Sequence, residues 1–385
     1  YPFSAANNDL TPYDTPRNPA FTQYDVSLRT DAVQLHLQDQ WHILPELTLS
    51  AGAKSSLQTA GNTVLTQQRN LQAGNPFGRP ATNPQVNFPT GEITSNYWFL
   101  PQAGLLWEAT DTEQVFVNVQ ENMRQYVPYA AGSNFYGSSP WSLGSQQAFD
   151  TFKNTAHPER SWTYEIGVRT SRQLDLGPLT GIDGQANYYH VDFYNRLFNV
   201  ATFNFINPNP AILVNVGGVT ADGVDIAATL HFGEHFQFYN GLSYNQSQYD
   251  DNFNTVVGGV STPVPIAGKQ VPVVPQWMNK FILSTNWGAF DAQVSGDFIG
   301  KRFATYTNDQ KVGSQFTMGL QASYTFDMGD MGGAEWVKQF KISGNVTNLT
   351  DAKGVSTVVV TGANGGFQGF PMPPRMFFAT LSAQL

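Results

Sequence analysis

The feature that most constrains this chain is two-residue alternation sustained over unusually long segments. From Ser161 to Arg172, Trp162, Tyr164, Ile166 and Val168 take every second place, while Thr163, Glu165 and Arg169 fill the others. A strand sends alternate side chains to opposite faces, so such a segment has one oily face and one wet face. The last stretch, Arg375 to Leu385, repeats the pattern: Phe377, Ala379, Leu381, Ala383 and Leu385 alternate with Thr380, Ser382 and Gln384. A strand in that position ends either as an exposed edge, which invites aggregation, or paired within a closed barrel.

The same unit recurs along the chain. Val33 to Trp41 is followed by Leu47 to Lys54, Trp98 to Glu108 by Gln114 to Arg124, and Ser161 to Arg172 by a strand beginning near Ile182. Val224 to Phe232 precedes Phe236 to Tyr244, Phe281 to Trp287 precedes Phe290 to Phe298, and Phe316 to Phe326 precedes Phe340 to Val346. With the final segment these make thirteen strands, and Phe21 to Leu28 is a weaker fourteenth. Residues 1–30 read as a Pro-, Asn- and Asp-rich loop or that first strand, and 31–385 as barrel wall. Short turns, such as Leu44-Pro45-Glu46 and Gly288-Ala289, alternate with long segments at Gln58 to Tyr97, Tyr249 to Asn279 and Leu349 to Pro374. Outer-membrane barrels have this rhythm, with short periplasmic turns and long extracellular loops. A soluble sandwich alternates too, but its strands average about five or six residues and enclose a dry core. Here strand after strand places Asp, Gln, Asn and Ser on the second face, which suits a wet lumen.

Composition supports an all-β transmembrane antiparallel up-and-down barrel. Only 13% of residues are charged, against about 25% in soluble domains, yet mean hydropathy is slightly negative at -0.29. No run approaches the ~18 apolar residues of a membrane helix. The sequence holds 28 Phe, 16 Tyr and 8 Trp. Trp41, Trp107, Tyr188 and Trp287 stand at the ends of apolar stretches, where a membrane-interface girdle belongs. A net charge of -9 gives no basic footprint, so no nucleic-acid partner is expected. The absence of Cys excludes disulfides and thiolate metal sites. The six His are dispersed, His36 and His42 share a strand face without a third ligand, and Asp250-Asp251 falls short of a calcium cage. No nucleophile motif or phosphate loop occurs. The reading is therefore not an enzyme, with no catalytic residue, metal site or cofactor.

Several segments resemble TonB-dependent outer-membrane receptors, in the order that family shows them. Leu37-Gln38-Asp39-Gln40-Trp41 and Leu47-Thr48-Leu49-Ser50-Ala51-Gly52-Ala53-Lys54 are similar to two of its strands. His157-Pro158-Glu159-Arg160 running into Tyr164-Glu165-Ile166-Gly167 resembles its Pro-Glu and Tyr-Glu-hydrophobic-Gly segment. Asp222-Gly223-Val224-Asp225-Ile226, Val274-Pro275, Asn345-Val346-Thr347-Asn348-Leu349-Thr350-Asp351 and Pro374-Arg375 continue the match. The resemblance implies energy-coupled uptake of a scarce ligand, foremost a ferric siderophore. It also implies outer-membrane lipid, the TonB complex and the barrel-assembly machinery as partners. The family barrel has about 22 strands around a plug. Neither plug nor coupling box is visible here, so the expectation is the C-terminal part of such a barrel, about eight strands short of the full number. A complete barrel of fourteen strands is the competing reading. The resemblance also makes the last strand the barrel-closing one, with Phe377, Leu381 and Leu385 on its lipid face.

The ligand side is read from the loops. Arg124-Gln125-Tyr126-Val127-Pro128-Tyr129 leads into a segment holding Phe135, Tyr136, Trp141, Phe149 and Phe152. Such a density of rings costs solubility unless it is used. Arg124 is expected as the anion partner, and Tyr126, Tyr129, Tyr136 and Trp141 as stacking surfaces, or else as packing between loops. Phe367, in Gly365-Gly366-Phe367-Gln368-Gly369-Phe370, is a second candidate. Uptake of a saccharide or vitamin, or a passive pore or adhesion barrel, are the alternatives.

Overall fold

A computed structural model describes residues 23–68, 89–126, 140–142, 146–200, 212–215, 217–257, 260–327, 338–360 and 366–384. The chain first lays down six long strands: β1 (Gln23–Leu44), β2 (Leu47–Gln68), β3 (Gly91–Glu108), β4 (Glu113–Met123), β5 (Arg160–Leu176) and β6 (Leu179–Tyr194). The short pair β7 (Leu197–Val200) and β8 (Ile212–Asn215) follows, then β9 (Val219–Phe232) and β10 (Phe236–Tyr249). Another short pair, β11 (Phe253–Val257) and β12 (Val260–Val264), leads to β13 (Trp277–Trp287) and β14 (Phe290–Ile299). The two-residue pair β15 (Arg302–Phe303) and β16 (Lys311–Val312) precedes β17 (Gln315–Asp327) and β18 (Gln339–Thr347). Finally β19 (Val355–Val360) and β20 (Phe367–Pro371) form a hairpin before β21 (Met376–Gln384). A helix, α1 (Gln146–Thr155), and a short 3-10 turn at Pro140–Ser142 lie in the β4–β5 connection.

The long strands form one 13-stranded antiparallel sheet in sequence order, β1-β2-β3-β4-β5-β6-β9-β10-β13-β14-β17-β18-β21. Thirteen is the number read from alternation, but the weaker fourteenth does not stand apart. Residues from Gln23 onward are the first third of β1, in register with β2 through to Leu44↔Leu47. Among the described residues, β1 and β21 each pair on one side only. Phe377 and Leu381 are exposed on β21, as is every described residue of that edge strand, Phe378 on the opposite face included; Leu385 lies outside the described residues.

Two faces follow from the alternation. Ile166, Val168, Val224, Ile226 and Leu283 are exposed on the outer face. The inner face is knit by polar pairs: Gln102 to His36 at 2.8 Å, Asn118 to Glu165 at 3.2 Å, Arg169 to Gln185 at 3.0 Å and Asp183 with His231 at 2.7 Å. A wet interior lets each polar group keep a partner or water, so the wall needs no dry core behind it.

The strands and their connections differ from the sequence reading in extent. β2 runs to Gln68 and β3 starts at Gly91, inside a segment read as loop, and β6 starts at Leu179. The long connections at Tyr249 to Asn279 and Leu349 to Pro374 carry the hairpins β11–β12 and β19–β20. Above the hydrocarbon neither strand face must be oily, so two-residue alternation fades while backbone pairing continues.

Candidate functional site

Among the described residues, three small hydrophobic cores stand at the long-loop end of the sheet. The first gathers Tyr126, Trp141, Phe149, Phe152, Ala60, Ile93 and Leu197. Phe149 and Phe152 lie three residues apart on α1 and so share one face of it; both are buried. Trp141 packs against Phe149 with ring centroids 5.7 Å apart, and Tyr126 meets Phe152 edge-on at 6.0 Å. Trp141 Nε1 donates to Gly91 O at 3.0 Å. Gln146 acts as a backbone mimic, donating from Nε2 to Thr90 O and accepting from Thr90 N, both at 2.9 Å. The loop is thus clipped to the top of β3.

The predicted ring platform is therefore placed differently from its expected role. Tyr126 is 1% exposed and Trp141 0%, which leaves neither a surface for a ligand in this conformation. Their apolar area is spent on loop packing, the alternative that ring density alone could not separate from stacking. Burial also raises the Tyr126 hydroxyl above its ordinary pKa, and among the described residues that hydroxyl has no hydrogen-bond partner. Tyr129 and Tyr136 lie outside the described residues. Phe367 is half-buried and packs on a different core, made of Ala304, Val312 and Val358.

Arg124 keeps an exposed side chain. Its Nη1 lies 3.7 Å from Glu159 Oε2, and its backbone N donates to Glu159 O. Glu159, buried, also accepts from Arg196 Nη1 at 2.6 Å and from Leu197 N at 3.1 Å. Next to it Arg160 donates to Glu121 at 2.8 Å and lies 4.6 Å over the Tyr97 ring. Among the described residues two ion-pair groups thus stand at the loop base, Arg124 and Arg196 on Glu159 and Arg160 on Glu121, and the Arg124 side chain is the most exposed of the five, at 45%. The Glu159 hub was absent from the sequence reading; the Pro158-Glu159 pair was its signal.

Motif residues have plain structural tasks. A Cβ on Gly167 would lie 2.3 Å from the Phe116 ring, and one on Gly223 2.1 Å from the Tyr189 ring. These rings lie flat across bare backbone on the inner wall, where any side chain would collide. Asn348, at φ 48, donates to Ala352 O and Pro373 O and accepts from Ala352 N. Asp351 accepts from Arg375 N at 3.1 Å, so this motif fastens the entry of β21.

The residues expected in a girdle fall in two rows. Trp41, Trp107 and Trp287 are beside the short turns and exposed. Tyr188 belongs to the opposite row, in register with Val224, Tyr244 and Trp277 across β6, β9, β10 and β13.

Residues 1–349 match the family model described as TonB dependent receptor-like, beta-barrel. The chain belongs to the TonB-dependent receptor β-barrel family. Its solved neighbours include the siderophore receptor PiuA from Acinetobacter baumannii, at 16% identity and a TM-score of 0.66, covering 93% of this chain and 43% of that one. The ferric citrate transporter FecA aligns at 14% identity and TM-score 0.60, covering 93% and 45%. The ferric yersiniabactin uptake receptor FyuA from Yersinia pestis aligns at 14% and 0.59, covering 95% and 47%. This receptor barrel chain therefore spans less than half the length of the structures it matches. No curated protein matches its sequence. A TonB-dependent receptor barrel resides in the outer membrane, with its long loops outside and its short turns in the periplasm.

Proposed function

We propose that this chain forms barrel wall and extracellular loops of a receptor that imports a ferric siderophore by TonB-coupled transport. The observation that carries the reading is the pair of guanidiniums, Arg124 and Arg196, gathered on the buried carboxylate of Glu159 at the loop base. Arg124, half exposed above the buried Glu159 hub, offers a planar guanidinium to an anionic chelate. The three solved neighbours, a siderophore receptor, a ferric citrate transporter and a ferric yersiniabactin uptake receptor, support the same cargo class. Packed loop cores over a polar wall support gated entry in preference to a passive pore. Coupling would act on a plug inside the barrel.

Uptake of radiolabelled ferric siderophores by iron-starved cells tests this. Loss of uptake on deleting the gene, and on collapsing the proton-motive force, is expected. Unchanged uptake of every ferric chelate after deletion, with loss of growth on a saccharide or vitamin, would sink the iron reading.

A further inference from the structure

Arg302, at the start of β15, is a buried cation: only 4% of it is exposed. Its Nη2 donates to Val355 O at 2.7 Å and to Ser356 O at 3.4 Å, so the guanidinium fastens the β19–β20 hairpin to the β15–β16 ladder. Both acceptors are neutral. Carbonyl dipoles satisfy a donor, but they leave much of the desolvation cost of a full charge uncompensated. Burial lowers the guanidinium pKa from its ordinary value for the same reason. Among the described residues Nε and Nη1 donate to nothing, yet neither is sealed from solvent as the partnerless Nε of Arg160 is.

The surroundings supply no counter-charge. Three connections meet here, residues 250–276, 300–314 and 348–375: Val273 N donates to Phe303 O at 2.8 Å, and Val273, Val312 and Val358 pack together. By sequence these connections carry Lys269, Lys301, Arg302, Lys311, Lys353 and Arg375 against Asp250, Asp251, Asp309 and Asp351, an excess of two positive charges in a chain whose net charge is -9. Each of the four acids is engaged elsewhere. Asp309 accepts from Thr305 and Thr307, and Asp351 from Lys353 Nζ and Arg375 N. Asp250 accepts from Thr220 and Asp251 from Gly218 N. Lys311, on the same ladder as Arg302, adds to the positive field with its Nζ 4.7 Å over the Phe303 ring.

We propose that Arg302 holds one small monovalent anion of about chloride's size, and that this anion locks the β19–β20 hairpin onto its neighbours. The ion takes the donors that the two carbonyls leave unused and balances the charge at the seam. A ferric chelate is too large to reach a side chain this well covered. The apolar flanks, Val312, Val355 and Phe367, strip water from whatever enters, which favours a weakly hydrated halide over phosphate or sulfate. The salt outside the cell then sets how firmly this part of the extracellular surface is closed.

The test compares the intact receptor, extracted from outer membranes, in chloride and in the bulkier gluconate at one ionic strength of about 0.15 M. Hydrogen exchange of the β19–β20 amides should be about tenfold slower in chloride, the effect of an anion present at about ten times its Kd. Arg302→Met keeps an unbranched side chain and removes the charge, so its exchange should be the same in both salts. Lys153→Gln, on the exposed face of distant α1, should keep the full chloride effect. Circular dichroism confirms that each variant is folded. Crystals of the wild type grown in bromide should show an anomalous peak beside Arg302, a readout that stands even where the Met variant does not fold. Equal exchange in both salts for the wild type, a chloride effect that survives in Arg302→Met, or no anomalous peak at Arg302 overturns the proposal.

Discussion

At the scale of the residue, the motif positions act through sterics and backbone hydrogen bonds. Gly223 lies under Tyr189, whose hydroxyl accepts from Asn245 Nδ2 at 2.7 Å, so the ring cannot swing aside without losing that bond. Gly223→Val should destabilise the wall by about 1–3 kcal/mol, the usual cost of overpacking. Adding Tyr189→Leu should recover most of that loss, and a double-mutant cycle in urea unfolding reads the coupling directly. Asn348→Ala removes three side-chain bonds at the entry of β21, a loss of about 1–3 kcal/mol, seen as faster hydrogen exchange across β18 and β21. Asp351 adds a pH signature to the same joint. Lys353 Nζ, then Arg375 N, hold its carboxyl below the ordinary 3.8. A folded value lower than the unfolded one means that this support is full at neutral pH. It fades as pH falls from the ordinary value through the lower folded one. Exchange at Arg375 N should therefore quicken in acid, and Asp351→Asn should abolish that dependence.

Among the elements, the described part of the β4–β5 connection, Trp141 and α1, shares one core with Tyr126, Ala60, Ile93 and Leu197. Trp141→Ala empties the centre of that core, a change that costs about 3–5 kcal/mol in a packed interior. The loss falls on the loop alone, because Trp141 touches the sheet through Gly91 O and the top of β3. Limited proteolysis should then cut within the loop while the heat stability of the sheet stays within error; a matching fall in both would show one cooperative unit. The same element shows how far the sequence could be read. Membrane strands were legible because lipid outside and water inside force alternation, as at Trp162 to Val168. Arg124 could be picked out as the exposed cation, but the rings beside it could not be assigned. Tyr126 and Trp141 differ from binding-site rings only in what covers them, and the cover is α1 together with the residues around Gly91, the latter distant in sequence. The hairpins β11–β12 and β19–β20 escaped notice for a related reason. They stand above the membrane, where strand pairing no longer needs an oily face.

For the whole molecule, we propose that the two aromatic rows mark where the wall sits in its bilayer. Trp277 and Trp287 bound β13, ten residues apart, about 33 Å of strand at ~3.3 Å per residue. At a tilt of ~40° that projects to about 25 Å, the usual height of an outer-membrane apolar band and less than the ~30 Å core of a typical bilayer. Both rows bring a polar partner to the interface: Trp287 stacks on His235 with centroids 4.0 Å apart, while Tyr188 donates to Asp222. A thicker bilayer would draw these groups into hydrocarbon, and a thinner one would expose Ile166, Val224 and Leu283 to water, so mismatch costs stability in either direction. Reconstituted in saturated phosphatidylcholines of graded chain length, the protein should show its highest unfolding temperature where the hydrocarbon is about 25 Å thick. Trp287→Leu with Tyr188→Leu removes the polar anchors, and the maximum should flatten and move toward thicker bilayers. A stability that rises steadily with chain length in the wild type would mean that the rows do not mark the membrane boundaries.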